Sequence, residues 1–189
     1  LVHEHIPRME NGDSIDLHRT TLLTKRKGLL FKHASRIALA LFLSWLSIAQ
    51  AADFSGRVVG VIDGDIIEVL HHGQTDPIRL SGIDCPEKGQ AYGQNAKQAA
   101  SALVFGKEVM LQTFGKDKYG RTLADVRLLD GTHINHTLVK DGWCWWYRKY
   151  APRNRELERL EKNAREAGKG LWVAPTHVPP WKWRKMKVP

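Results

Sequence analysis

Three short polar segments contain the residue types needed to hydrolyse a phosphodiester with the help of a metal ion. They are the turn Asp63–Asp65, the run Arg79–Glu87 and the loop Asp117–Arg121. Carboxylates can hold a hard divalent cation, a further carboxylate can position or deprotonate a water, and arginines can donate paired hydrogen bonds to a phosphate. Each segment alone is more typical of an ordinary turn. Their occurrence together, in this order, predicts a catalytic site.

The carboxylates of these segments divide into two predicted roles. Asp65 lies in a tight turn, and Asp84 precedes Cys85 and Pro86. The proline restricts Cys85 to an extended conformation, which gives the Cys85 carbonyl a defined direction. Two carboxylates and one carbonyl would leave coordination positions for water and a phosphate oxygen. Glu87, three residues after Asp84, is the predicted base or water-positioning group.

Basic and aromatic side chains provide the predicted contacts to substrate. Arg79 and Arg121 can each present a planar pair of donors to phosphate oxygens, which lysine cannot do with the same geometry. Lys118, Tyr119 and Tyr150 lie among basic residues and are predicted to bind substrate at the rim of the site.

The pattern of strands and helices predicts an α+β fold that is mainly β. β-Branched runs bounded by turn residues predict strands, and an Ala-rich helix follows the third of them. The predicted strands are Val58–Ile62, Ile66–Leu70, Pro77–Leu80, Glu108–Thr113 and Leu123–Leu128, and the helix is Tyr92–Phe105. Five strands with a helix between the third and fourth is the plan of an oligonucleotide/oligosaccharide-binding (OB-fold) barrel. That barrel hosts many functions and predicts no chemistry by itself.

Two more helices are expected to pack on the barrel, which gives three in all. A short one is predicted near Ile134–Lys140 and a longer one from about Asn154 to Ala167. The longer helix has an apolar face, and its charged face, which includes Glu161, is expected to be solvated. The tail from 175 to 189 has no regular period. Its segment Trp181–Lys185 could clamp nucleic acid or pack as a chain end.

The N-terminal region predicts export. Basic residues precede the apolar run Ile37–Ile48, which ends at Ala49-Gln50-Ala51. This order is typical of a secretory signal peptide cleaved after Ala51, and an uncleaved anchor is the alternative. Met9 is a candidate start. The expected division is a leader over 1–51, a barrel domain with the predicted catalytic site over 52–174 and a basic tail over 175–189, in a secreted or periplasmic protein.

Charge and cysteine content are compatible with this interpretation but do not decide it. The net charge of +9 suits a polyanionic partner, although many soluble proteins share it. Cys85 and Cys144 are the two cysteines. An even count permits a disulfide in an exported protein, and the sequence leaves open whether the two are joined.

From about Phe54 to Trp172, the chain resembles the staphylococcal nuclease-like (thermonuclease) family. The matching features are Asp63–Asp65, Arg79–Glu87, Tyr92-Gly93, Asp117–Arg121, the aromatic stretch Trp145–Tyr147 and the close at Gly170–Trp172. The resemblance implies Ca²⁺ as cofactor. It also implies specific roles: metal ligands Asp65, Asp84 and the Cys85 carbonyl, with Asp63 close by, and catalytic residues Arg79, Glu87 and Arg121. Ile66 and Cys85 depart from the family pattern, since threonine is usual at the first and occurs at the second in the best-known member.

The function implied by the resemblance is calcium-dependent hydrolysis of DNA, RNA or both. The expected form is an exported monomer without stable membrane association once the leader is removed. The main alternative is a non-catalytic nucleic-acid-binding module of the same fold, which loss of a metal carboxylate or an arginine would have favoured. A carbohydrate- or protein-binding barrel would leave the carboxylates and arginines unexplained.

Overall fold

The computed structural model describes residues 53–186. The predicted signal peptide, its apolar run Ile37–Ile48 and the cleavage site after Ala51 lie outside the described residues. Among the helices within 53–186, none is long and apolar enough to cross a membrane.

Five strands close into a barrel in the order β1-β2-β3-β6-β5. They are β1 (Phe54–Asp63), β2 (Ile66–His71), β3 (Gln74–Leu80), β5 (Glu108–Lys116) and β6 (Thr122–Leu128). Neighbouring strands are antiparallel, except that β3 and β6 are parallel, with Arg79 beside Leu123. Two short strands, β4 (Ile83–Asp84) and β7 (Trp145–Trp146), pair outside the barrel. The predicted OB-fold barrel is confirmed.

The barrel core is formed by aliphatic side chains, most of them β-branched, that alternate along the strands. Alternation follows from the two-residue period of a strand, which turns every second side chain to the same face. The fully buried members are Val58, Ile67, Val69, Ile78, Leu80, Val109, Ala124 and Val126. This core fixes the barrel ends from which the polar loops project.

Within residues 53–186, four α-helices pack around the barrel, one more than predicted. They are α1 (Gly93–Val104), α2 (Ile134–Lys140), α3 (Arg155–Glu166) and α4 (Pro180–Met186), with a 3₁₀ turn at Gly170–Val173. The first three agree with the predicted helices within a residue or two. The fourth lies in the tail, which was predicted to be irregular. Pro180 suits the first position of a helix. A helix of this length is marginally stable by itself, and the aromatic packing of Trp181 stabilises it.

The prediction for Glu161 was wrong, because its side chain is buried and not solvated. Only 3% of the residue is exposed. Its Oε1 accepts the backbone N–H of Trp146 at 3.1 Å, and its Oε2 lies 3.3 Å from Arg165 and 3.7 Å from Arg148. Glu161 thereby joins α3 to β7.

Candidate active site

The first predicted metal carboxylate, Asp65, is held in the turn between β1 and β2. A Cβ added at Gly64 would lie 2.9 Å from the Cβ atoms of Ala96 and Cys85, so only glycine lets this turn approach α1 and the end of β4. The Asp65 carbonyl accepts the N–H of Leu80 at 2.9 Å, and its Oδ2 accepts the N–H of Cys85 at 2.7 Å. The main chain and the side chain of Asp65 are therefore both held by hydrogen bonds, and the residue is 5% exposed.

The second, Asp84, is held by the small β4–β7 sheet. Gly82, with φ of 69°, makes the turn from β3 into β4. Asp84 then pairs with Trp145, and the next residue, Cys85, forms a disulfide with Cys144. The sequence left this disulfide open, and the structure contains it. The bond fastens the carboxylate segment to β7, which Glu161 fastens to α3.

Arg79 lies between the two carboxylates. Its Nη1 donates to the carbonyls of Leu80 at 2.6 Å and Ile83 at 2.9 Å. Its Nη2 lies 3.1 Å from Asp65 Oδ2 and 3.0 Å from Asp84 Oδ1. Arg79 is thus held by backbone carbonyls as well as by the carboxylates.

Glu87 lies in the loop after β4, at the open edge of this cluster. Its N–H donates to Gln90 Oε1 at 3.1 Å, and its carbonyl accepts the Gln90 N–H at 2.9 Å. The side chain is 34% exposed, in contrast to the 1% of the Asp84 side chain. Water can therefore reach the Glu87 side chain, whereas the Asp84 side chain is shielded from it.

The acidic side chains repel one another. Burial raises the pKa of Asp84 to about 6, and the charge of Asp65 adds to the rise. Burial likewise raises the pKa of Asp63 to about 6, with further contributions from Asp65 and Glu87. Carboxylates with raised pKa values close to one another are stabilised in their ionised form when a cation is bound among them.

Arg121 lies apart from that cluster. Its Nε donates to Asp117 Oδ2 at 2.7 Å, its Nη2 lies 2.6 Å from the same oxygen, and its N–H donates to Asp117 Oδ1 at 3.0 Å. Across residues 53–186, Arg121 forms no ion pair with Asp65, Asp84 or Glu87. The sequence analysis did not identify Asp117 as its partner, although a turn-forming aspartate four residues earlier is a recognisable signal.

The three predicted substrate-binding residues lie at the surface near Arg121. Tyr119 and Tyr150 are 70% and 68% exposed. Lys118 Nζ lies 4.8 Å from the centre of the Tyr119 ring, and the Arg121 guanidinium lies 5.1 Å from it. A hydrogen bond to Tyr119 raises the pKa of Lys118, Tyr150 adds to the rise and Arg184 opposes it. These contacts group Lys118, Tyr119 and Arg121 on one rim.

Arg184, on α4, is a site residue that the sequence analysis missed. Its Nη2 lies 2.7 Å from Asp84 Oδ2, its Nη1 lies 3.2 Å from Asp84 Oδ1, and Nη1 also pairs with Glu87 Oε1. The only signal in the sequence was the basic and aromatic character of Trp181–Lys185.

The donor chemistry fits a hard cation. As they stand, no three His, Cys, Asp or Glu side chains within the described residues are arranged to hold a metal ion. Asp65 and Asp84 nevertheless face a common point, because both contact one nitrogen of Arg79. Calcium takes carboxylate oxygens together with carbonyls and waters. The backbone of Cys85 contacts Asp65 through its N–H, and the role of its carbonyl as a metal ligand stays a prediction.

The chain is similar to known proteins over most of its length. The family described as "Staphylococcal nuclease homologue" matches residues 77–174. The chain is 40% identical over 161 residues to "Micrococcal nuclease" of Shigella flexneri, covering 80% of this chain and 92% of the relative. It is 42% identical over 152 residues to an "Uncharacterized endonuclease" of Escherichia coli, covering 80% and 97%. It is 39% identical over 159 residues to "Protein ParB" of Escherichia coli, covering 79% and 90%.

Proposed function

We infer, because the chain belongs to the staphylococcal nuclease homologue family, that it is a nuclease that hydrolyses phosphodiester bonds. We propose further that it is calcium-dependent and acts on DNA, RNA or both. The observation that carries the proposal is the convergence of Asp65 and Asp84 on one nitrogen of the Arg79 guanidinium, with Glu87 linked to Asp84 through Arg184. The buried carboxylates of Asp65 and Asp84 can bind a metal ion, and the exposed carboxylate of Glu87 can activate a water.

The roles of the individual residues follow from their positions. Asp65 and Asp84 would hold the calcium ion, which when bound polarises a phosphoryl oxygen. Glu87 would orient a water and take its proton as the water oxygen attacks phosphorus and one ester P–O bond breaks. Arg79, still held by the carbonyls of Leu80 and Ile83, would donate Nη2 to a phosphate oxygen once the carboxylates bind the cation.

Arg121 would act from the rim. Asp117 sets the direction of its guanidinium, which can move to a phosphate oxygen as charge develops in the transition state. The aromatic faces of Tyr119 and Tyr150 could stack on bases of a single strand, a contact worth about 1–3 kcal/mol per base. A site of this kind contacts phosphate and base faces, so it accounts for a nuclease without sequence preference.

Removal of calcium tests the metal role. Cleavage of single- and double-stranded DNA is expected in the presence of calcium. It should disappear in EGTA and return when calcium is added in excess. Magnesium should support it poorly, because magnesium demands a tighter octahedral shell than this open pair of carboxylates offers. Rates measured on labelled DNA under the three conditions decide the matter. Undiminished cleavage in EGTA would contradict the metal role, whereas binding of DNA without cleavage in every condition would indicate a non-catalytic module.

We also propose export to the periplasm or medium as a monomer. The support is the leader pattern before Ala52 and the Cys85–Cys144 disulfide, a bond that persists in oxidising compartments. Intact-mass measurement of protein from its native host is expected to give a chain that begins near Ala52. A chain that retains Ile37–Ile48 would instead indicate membrane anchoring.

A further inference from the structure

Two guanidinium groups occupy the oxygens that the proposed site would give to calcium. Asp84 Oδ1 contacts Arg79 at 3.0 Å and Arg184 at 3.2 Å, and Asp84 Oδ2 contacts Arg184 at 2.7 Å. Arg79 belongs to the barrel and has backbone partners of its own. Arg184 comes from α4, 100 residues further along the chain than Asp84.

We propose that α4 is an autoinhibitory element whose Arg184 competes with the cation for Asp84 and blocks Glu87. The proposal rests on the proposed function, since it concerns the same carboxylates. Both Asp84 oxygens accept hydrogen bonds from Arg184. Calcium binds oxygens at about 2.3–2.6 Å, so a cation and the Arg184 guanidinium compete for the same two atoms. Glu87 Oε1 pairs with the same guanidinium, which occupies one of the two oxygens that could take a proton from water.

The way α4 is docked makes it displaceable. Trp181 stacks on Tyr147, with ring centres 5.2 Å apart and planes 5° from parallel, and it meets the edge of Trp145 at 5.6 Å. Ahead of the helix, Gln90 Nε2 donates to the Val178 carbonyl at 2.6 Å. The helix has seven residues, and the Arg184 side chain is 42% exposed. Short helices form only where packing supports them, so a local opening can release α4 while the barrel stays folded.

Position along the chain sets α4 apart from the catalytic residues. The residues matched to the family end at 174, before α4 begins at Pro180. Arg184 therefore lies outside the matched residues, and the inhibitory contact depends on the helix being docked.

Calcium titration by calorimetry, without substrate, tests the competition. Arg184→Gln is expected to bind calcium about tenfold more tightly than the unchanged protein, since a hydrogen bond to a charged group contributes roughly that factor. Trp181→Ala, which removes the docking contact and leaves Arg184 intact, should change the affinity in the same direction. Lys185→Gln removes the same charge from the same helix and should stay within about twofold of the unchanged protein.

Each outcome decides between defined alternatives. A denaturation curve recorded in EGTA establishes whether the Arg184→Gln variant is folded. If the folded variant binds calcium equally or more weakly than the unchanged protein, the competition is overturned and the nuclease proposal still stands. An equal gain in Lys185→Gln would show that general charge, and not the Arg184 contact, sets the affinity. Absence of calcium binding in all four proteins would overturn the metal role itself.

Discussion

Glu87→Gln is expected to lower turnover by about 10³-fold while calcium binding stays intact, because general acid–base groups contribute about 10²–10⁴. An amide keeps the shape of the side chain and cannot accept the proton of the attacking water. The loop position of Glu87 makes the separation from metal binding possible. It is one-third exposed and fixed through backbone bonds to Gln90, so the substitution leaves Asp65 and Asp84 in their places.

Asp84→Asn is the matched comparison. This change removes a charge from a deeply buried carboxylate, so calcium affinity should fall first, and raising the calcium concentration should restore part of the rate. Calorimetric titration of both variants, beside their rates at saturating calcium, separates the two roles. Glu87→Gln also removes one ion pair of Arg184, which by the proposed competition favours calcium. A loss of affinity in Glu87→Gln as large as that in Asp84→Asn would therefore make Glu87 a ligand and leave the base to be found elsewhere.

The barrel and its carboxylates could be predicted because their signals are local. Alternating β-branched residues set each strand and its buried face within a few residues. Asp65 follows a glycine in a turn, and Asp84 is followed by Cys85, whose conformation Pro86 restricts, so the local sequence indicates the backbone path at both carboxylates. The fold then needs only to place two turns side by side, as the bond from the Cys85 N–H to Asp65 shows.

Glu161 and Arg184 could not be assigned because their partners are distant along the chain. In the sequence, Glu161 belongs to the charged positions of an amphipathic helix. It is buried because the N–H of Trp146, in a two-residue strand, needs an acceptor in the space between β7 and α3. Arg184 lies in a segment with no helical period, and α4 is supported by the packing of Trp181 on Tyr147 and Trp145. Tertiary contacts decided both positions.

For Arg121, the sequence predicted the position and the chemistry but not the partner. The sequence placed it correctly in a polar loop beside Tyr119, and its chemistry favoured phosphate binding. The structure adds the ion pair with Asp117, which holds the guanidinium at the rim in the absence of substrate. A phosphate therefore has to compete with Asp117 for this arginine, and a competition of that kind depends on the number and geometry of donors.

Arg121→Lys is for that reason expected to lose about 10²-fold or more in turnover, although the charge is retained. Loss of a donor to the developing negative charge of a transition state costs about 10²–10³, and an ammonium group cannot keep Asp117 and a phosphate oxygen on two parallel bonds as a guanidinium can. Arg79→Lys should behave likewise. Arg127→Lys, an exposed arginine on β6, is the control and should keep its rate. Rates and substrate affinity on one labelled DNA at saturating calcium provide the measurement, and a near-normal rate in Arg121→Lys would place Arg121 in binding alone.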